Sequence, residues 1–219
     1  RRGQRHHQRA HRPCGGGCQA HPGIKLSKAK GVVFMERSIY VITGAGSGMG
    51  FASAQCLAAE ASVLLLCDRN EDSLTHSKTE LQRFGACVET CLFDVSDLDS
   101  VKACARRAAS LGNIHAVIHA AGVTPANSTP EDILKTNGLG PRNIVKAFYP
   151  QMSEGGVMLL FGSNAAYNFD TIPQMAPLVP KLNELYLHWD DPDFLSQMQS
   201  FLSNDMNLPV GRAQGGMAY

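Results

Sequence analysis

The run Thr43-Gly44-Ala45-Gly46-Ser47-Gly48-Met49-Gly50 holds the residues of this chain best placed to do chemistry. Glycines let a backbone turn sharply and come close to a pyrophosphate, whose charge is met by free N–H groups at a helix N-terminus. A glycine-rich turn is also an ordinary strand–helix connection, so its flanks decide. The apolar Ser38-Ile39-Tyr40-Val41-Ile42 precedes it, and Phe51-Ala52-Ser53-Ala54-Gln55-Cys56-Leu57-Ala58-Ala59 follows. That order reads as strand, turn and helix, the context a dinucleotide-binding turn requires. The spacing is not G-x-G-x-x-G, because Met49 stands where the third glycine would be.

Other constellations reach less far. His11-x-x-Cys14-x-x-x-Cys18-x-x-His21 imitates a zinc site, since four soft ligands so close together can close a small loop. It lies in a stretch without apolar period, and the expectation is a chain that holds no metal. The seven cysteines stand at positions 14, 18, 56, 67, 87, 91 and 104. From Cys56 on they fall within predicted strands and helices, which points to reduced, buried thiols rather than a disulfide framework. Asn127-Ser128-Thr129 is a formal glycosylation sequon, meaningful only with secretion. No secretory signal is read, so the expected compartment is the cytoplasm.

The elements that must position the glycine turn are legible in the hydrophobic pattern. From Met35 short apolar runs alternate with longer amphipathic ones, which predicts an α/β fold, a doubly wound parallel sheet flanked by helices. Strands are expected near 38–42, 62–67, 87–93, 114–119 and 157–161, and helices near 48–60, 71–84, 98–111 and 130–152. Val63-Leu64-Leu65-Leu66-Cys67 is continuous rather than alternating, as in a strand covered on both faces. Thr129-Pro130-Glu131-Asp132 reads as a helix start, with a capping hydroxyl, proline in the first turn and acids at the positive dipole end.

Charge divides the 219 residues unevenly. Residues 1–34 carry eight Lys/Arg and no acid, and are read as a disordered basic leader outside the fold. The remainder holds twelve basic and nineteen acidic residues, a formal charge of −7, which offers no general attraction for nucleic acid or an anionic membrane. The longest apolar run of the leader, Val32-Val33-Phe34-Met35, is too short for a membrane span. Residues 35–219 are read as one dinucleotide-binding domain. Within it, 168–215 interrupts the alternation and is expected to be a lid-like insertion, helical across Asp193 to Asn204.

Thr43, Gly44, Gly48 and Gly50 match T-G-x-x-x-G-x-G, and with it the chain resembles the short-chain dehydrogenase/reductase family, whose fold is Rossmann-like. The resemblance implies a cofactor site built from Thr43, Gly44, Ser47, Gly48, Met49 and Gly50. It implies that Asp68, ending the second strand, faces the adenosine ribose. A carboxylate there accepts from the 2′-hydroxyl and repels a 2′-phosphate, so NAD is the expected cofactor, with NADP the alternative that Arg69 could serve. Asp94-Val95 is similar to the family's adenine-contacting pair. His119-Ala120-Ala121-Gly122 is similar to its N-N-A-G segment, with His in place of the first Asn. Read alone, His119 is a core histidine.

The resemblance also implies catalytic roles. Asn137, in Asn137-Gly138-Leu139-Gly140, stands at N-x-x-G, where the family's asparagine helps hold a proton-relay water. Ser163, after the fifth strand, matches the serine that polarises the substrate oxygen. The family's Tyr-x-x-x-Lys fits neither Tyr167, followed four residues on by Thr171, nor Tyr186, followed by Asp190. Tyr219 is the remaining candidate acid/base, after Gly215-Gly216-Met217-Ala218, and its lysine would fall beyond the last residue. The chain is therefore read as C-terminally incomplete, with an insertion like that of hydroxysteroid dehydrogenase and carbonyl reductase relatives. The implied activity is hydride transfer between nicotinamide and a small-molecule carbonyl or secondary alcohol, steroid-like substrates included, and the implied intact protein is a homo-oligomer. The rivals are a nucleotide-binding fragment without turnover, and an NAD-dependent epimerase or redox-sensing regulator. Against the last, such relatives carry T-G-x-x-G-x-x-G, and position 47 here is Ser.

Overall fold

Val63-Leu64-Leu65-Leu66-Cys67 forms the most enclosed strand among the described residues. The computed structural model describes residues 24–29, 32–163, 173 and 176–205, with side chains from Arg37 onward. Strand β3 (Val63–Asp68) sends Leu64 and Leu66 into one core, and Val63, Leu65 and Cys67 into the other. Its near-continuous apolar composition is what burial on both faces demands.

Around it stand β1 (Ile24–Ala29), β2 (Val32–Thr43), β4 (Val88–Leu92), β5 (Asn113–His119) and β6 (Met152–Leu160). The sheet runs β4-β3-β2-β5-β6, and every neighbour along that path is parallel. Helices α1 (Gly48–Leu57) and α2 (Glu71–Arg83) lie over one face. Helices α3 (Leu98–Leu111) and α5 (Gly140–Phe148) cover the other, where Val101, Cys104, Ala105, Ala108, Ile144 and Phe148 are buried against the sheet. This is the doubly wound, Rossmann-like arrangement that the sequence pattern predicts.

Three helix starts have a local cause in a capping side chain. The Asn70 side chain accepts from the Ser73 N–H, 2.9 Å, at α2, and the Asp97 side chain from the Asp99 N–H, 3.0 Å, at α3. Thr129 and Asp132 form a reciprocal capping box at α4 (Pro130–Ile133). The helix expected over 130–152 is interrupted: a π-helical turn, Leu134–Leu139, separates α4 from α5, and a short 3₁₀ turn, Tyr149–Gln151, ends it.

Two strands begin earlier than their composition suggests. Strand β6 starts at Met152, which pairs with Ile114, and the next pair is Val157 with Ala116. Glu154-Gly155-Gly156 bulges between them, with Gly155 at φ +74°. Strand β2 starts at Val32, where Val32–Arg37 pairs antiparallel with β1 before Ser38–Thr43 enters the parallel sheet. Residues 24–29 and 32–34 of the basic leader are thus extended and paired, and residues 1–23 lie outside the described residues.

In the stretch read as an insertion, α6 (Val179–Leu187) and α7 (Phe194–Asn204) are helical, and α7 buries Phe194, Met198 and Phe201. The segment is tied to α5: Arg142 Nη1 donates to the Trp189 carbonyl, 2.8 Å, and Lys146 pairs with Asp190. Among the described residues no helix is long and apolar enough to cross a membrane, and no group of three or more His, Cys, Asp or Glu is placed to hold a metal ion. The His11–His21 constellation lies outside the described residues.

Candidate functional site

Strand order reverses between β2 and β5, so the chain leaves these neighbours toward opposite faces and a crevice opens beyond their carboxyl ends. A cleft of about 330 Å³ sits there. Of the residues singled out from the sequence, Gly44, Ser47, Gly48, Met49, Asp68, Arg69, Asp94, Val95, Ala120, Ala121 and Gly122 line it. Thr43 and Gly50 lie directly beneath, both buried.

The glycine turn is a packing solution as well as a flexible one. Gly44 has φ +66°, and a Cβ there would come within 2.7 Å of the Ala121 nitrogen and 2.8 Å of the Ala120 oxygen. A Cβ on Gly50 would lie 2.2 Å from the Gly44 carbonyl oxygen. Gly48, at φ +53°, faces open space, so backbone conformation rather than contact selects it. The sequence motif passes over Gly46, yet a Cβ there would meet Ser73 Cβ at 2.7 Å and Asp68 Oδ2 at 2.9 Å. Ser47 makes no side-chain cap at α1, which leaves the first N–H groups of the helix pointing at the cleft for an anion.

Asp68 does two things at once. Its Oδ2 accepts from the Gly46 N–H and its Oδ1 from the Asn70 N–H, each at 3.0 Å. The carboxylate therefore holds the glycine turn to the start of α2 while also lining the cleft. Arg69 beside it is exposed. Asp94 Oδ1 accepts from both the N–H and the hydroxyl of Ser96, at 2.8 Å each, which shapes the loop that carries Val95.

Two asparagines on successive turns secure the opposite wall. Asn137 Oδ1 accepts from the Val123 N–H and its Nδ2 donates to the Val123 carbonyl, both at 2.9 Å. Asn143, buried, donates to the Val95 carbonyl at 2.9 Å. Between them Gly140 lets α5 approach, since a Cβ there would meet Val95 Cγ2 at 3.1 Å. The amide of Asn137 is thus tied to the backbone of Val123 on both sides, which fixes the Ala121–Val123 wall and leaves one N–H and one oxygen lone pair of the amide over. Asn143 carries no sequence motif and shows its role only through contact. Thr124, Asn127 and Thr136 also line the cleft and have no local signal.

His119 ties the ends of β5 and β2 together. Its Nδ1 lies 2.7 Å from Thr43 Oγ1, which also accepts from the Ala121 N–H at 3.3 Å. Burial holds its pKa down from 6.5 to about 4, so the ring is neutral in the folded protein near neutrality. Between those two values the unfolded chain binds a proton that the folded chain refuses. Stability from this group is therefore complete above the upper value and is lost as pH falls through the window. The full difference is about 3 kcal/mol. His119→Asn should lose less stability than the unmutated chain between about pH 7 and pH 4.5, read as melting temperature at each pH. Parallel losses in the two proteins would refute the assignment.

Ser163 follows β6 and does not line the cleft. Tyr167 and Tyr219 lie outside the described residues. No residue of α6 or α7 lines the cleft; the segment joining them bonds to α5 through Trp189 and Asp190.

Residues 38–175 match the family described as short chain dehydrogenase. A short-chain dehydrogenase/reductase, bsc3, from Alternaria brassicicola is 34% identical over 143 residues, which cover 65% of this chain and 50% of that protein. A solved 7α-hydroxysteroid dehydrogenase, complexed with NADH and 7-oxo glycochenodeoxycholic acid, superposes with a TM-score of 0.54 at 27% identity, covering 61% of this chain and 56% of its own. A short chain dehydrogenase/reductase from Burkholderia phymatum in complex with NAD gives a TM-score of 0.53 at 28% identity, covering 59% of this chain and 50% of its own. The chain spans about half the length of the curated relatives it matches.

Proposed function

This chain belongs to the short-chain dehydrogenase/reductase family, and on that footing we propose that its cleft holds NAD in preference to NADP and serves hydride transfer. The acceptor or donor is the carbonyl or secondary-alcohol carbon of a small molecule, with a steroid-like alcohol the leading class. The observation that carries the reading is the glycine turn. It is closed against Ala120 and Ala121 and backed by Asp68, a cradle that an added Cβ would fill.

The residues present fit the cofactor. The N–H groups at the start of α1 would take the pyrophosphate, Asp68 the adenosine ribose, and Asp94-Val95 the adenine edge. The bound nicotinamide would accept the hydride from an alcohol carbon, or give it to a carbonyl in the reverse direction. Ser163 would steady the substrate oxygen, and Tyr219 would give or take the hydroxyl proton at its phenolic oxygen. Asn137, with its amide committed to Val123, would support that site by fixing the wall beside it. The 7α-hydroxysteroid dehydrogenase likeness supports the substrate class.

Calorimetric titration of the chain with NAD and with NADP tests the cofactor, and NADH formation on a panel of secondary alcohols that includes hydroxysteroids tests the chemistry. NAD should bind more tightly, and a hydroxysteroid should be oxidised. Binding of NAD with no alcohol oxidised would favour a cofactor-holding fragment, and failure to bind either nucleotide would overturn the proposal.

A further inference from the structure

Thr136 lines the cleft and is only 9% exposed, yet its hydroxyl makes no hydrogen bond among the described residues. The other buried polar residues behave differently: Thr43, Ser62, Ser77, His119 and Asn143 each bond another group of the protein. A buried hydroxyl without a partner costs its desolvation, so native structures rarely leave one. This one is not sealed in the core either. Among the described residues, the buried side-chain polar atom without a partner is Arg142 Nε. The Thr136 hydroxyl therefore opens onto the cleft, where its partner is whatever the cleft holds.

The neighbouring residues say which part of a ligand it meets. Thr136 sits in the π-helical turn Leu134–Leu139, a form of helix that recurs at functional sites. Asn137, next in the chain, holds Val123 by both its N–H and its carbonyl. Gly140, one turn on, lies against Val95. Thr136 is thus fixed between the loop that follows β5 and the loop that follows β4. From β4, the outermost strand on the Asp68 side, Phe93, Asp94 and Val95 line the same cleft. Asp68 is tied to the start of α2 on one face of the sheet, and Thr136 leads into α5 on the other. Hydride transfer needs the nicotinamide at the far end, toward β6, so the β3–β4 end receives the adenosine.

We propose that Thr136 is a further cofactor-binding residue, its hydroxyl hydrogen-bonded to the adenosine half of the dinucleotide from the wall facing Asp68. The inference rests on the cofactor reading above. A hydroxyl both donates and accepts, so it can meet a ring nitrogen or an amino group of the base.

Calorimetric titration of the full chain, of Thr136→Val and of Thr136→Ser with NAD and with ADP-ribose tests it. Valine keeps the branched shape and removes the hydroxyl, and serine keeps the hydroxyl. Thr136→Val should weaken both ligands by the same factor, about three- to tenfold, with a melting temperature no lower than that of the unmutated chain. Thr136→Ser should bind both as the unmutated chain does. Equal affinities in Thr136→Val and the unmutated chain would overturn the proposal. So would a loss confined to NAD, which would set the hydroxyl against the nicotinamide half. Weaker binding with a lower melting temperature, not rescued by serine, would make the residue structural and overturn it too. If the unmutated chain bound neither ligand, the cofactor reading itself would fall and this inference with it.

Discussion

Gly50→Ala is expected to abolish NAD binding and to lower the melting temperature by about 5–10 °C. Gly50 sits in the first turn of α1, where its missing side chain leaves room for the Gly44 carbonyl. An alanine Cβ would lie 2.2 Å from that oxygen and 2.6 Å from its carbon. Both are backbone atoms, so no side chain can swing away. The turn and the helix must separate, at a cost of about 1–3 kcal/mol for overpacking in a closed site. That separation also moves the α1 N–H groups off the pyrophosphate position, so binding should suffer more than stability. Gly138→Ala is the control. Its Cβ would meet nothing within 4 Å, and alanine favours helix over glycine by about 1 kcal/mol. Calorimetric titration and thermal melts of both variants check the contrast. Equal melting temperatures for Gly50→Ala and the unmutated chain would mean that α1 does not pack on the turn as described.

Asp68→Ala is expected to weaken NAD about tenfold to a hundredfold while leaving NADP equal or tighter, because a hydrogen bond to a charged group contributes about 1.5–3 kcal/mol. The structure adds a second route to the loss of NAD. The same carboxylate accepts from Gly46 and Asn70, so alanine also loosens the turn for either cofactor. The two effects separate by selectivity. Loss of the ribose bond and of charge repulsion changes the NAD/NADP ratio, whereas a loosened turn weakens both alike. Arg69→Ala alongside Asp68→Ala should then withdraw whatever NADP gains. If Asp68→Ala lowered both affinities by the same factor, the carboxylate would be acting through the turn alone.

The sheet was legible because its signals are local. Continuous apolar runs such as Val63–Cys67 mark strands enclosed on both faces, and Thr129 with Asp132 marks a helix start from adjacent residues alone. The π-helical turn at Leu134–Leu139 was not legible, since the hydrophobic period of the stretch reads as continuous helix. Strand β1 was not legible either. Ile24–Ala29 has little to bury, and its pairing with Val32–Arg37 is a matter of backbone hydrogen bonds that any sequence can make. The start of β6 was hidden by Gly155-Gly156, which reads as a loop and in fact bulges within a strand.

At the cleft the division follows the range of the interactions. The sequence by itself determined that a glycine turn would join strand to helix with an acid at the end of the next strand, because glycine spacing and strand-end position are properties of a short stretch of chain. Tertiary structure alone decided the rest. Gly46 must be glycine because Asp68 and Ser73 crowd it from another βα unit. Asn143 matters because Val95, far away in sequence, presents a buried carbonyl to it. His119 is neutral because burial between the strands disfavours its charged form, and structural because it bonds Thr43 on the neighbouring strand, 2.7 Å away. The Cys67 and Cys104 sulfurs meet at 3.5 Å only when β3 and α3 are packed together. Spacing along a chain encodes which conformations a segment can adopt. Desolvation and close contact depend on which segments fold back on one another, and only the folded structure specifies that.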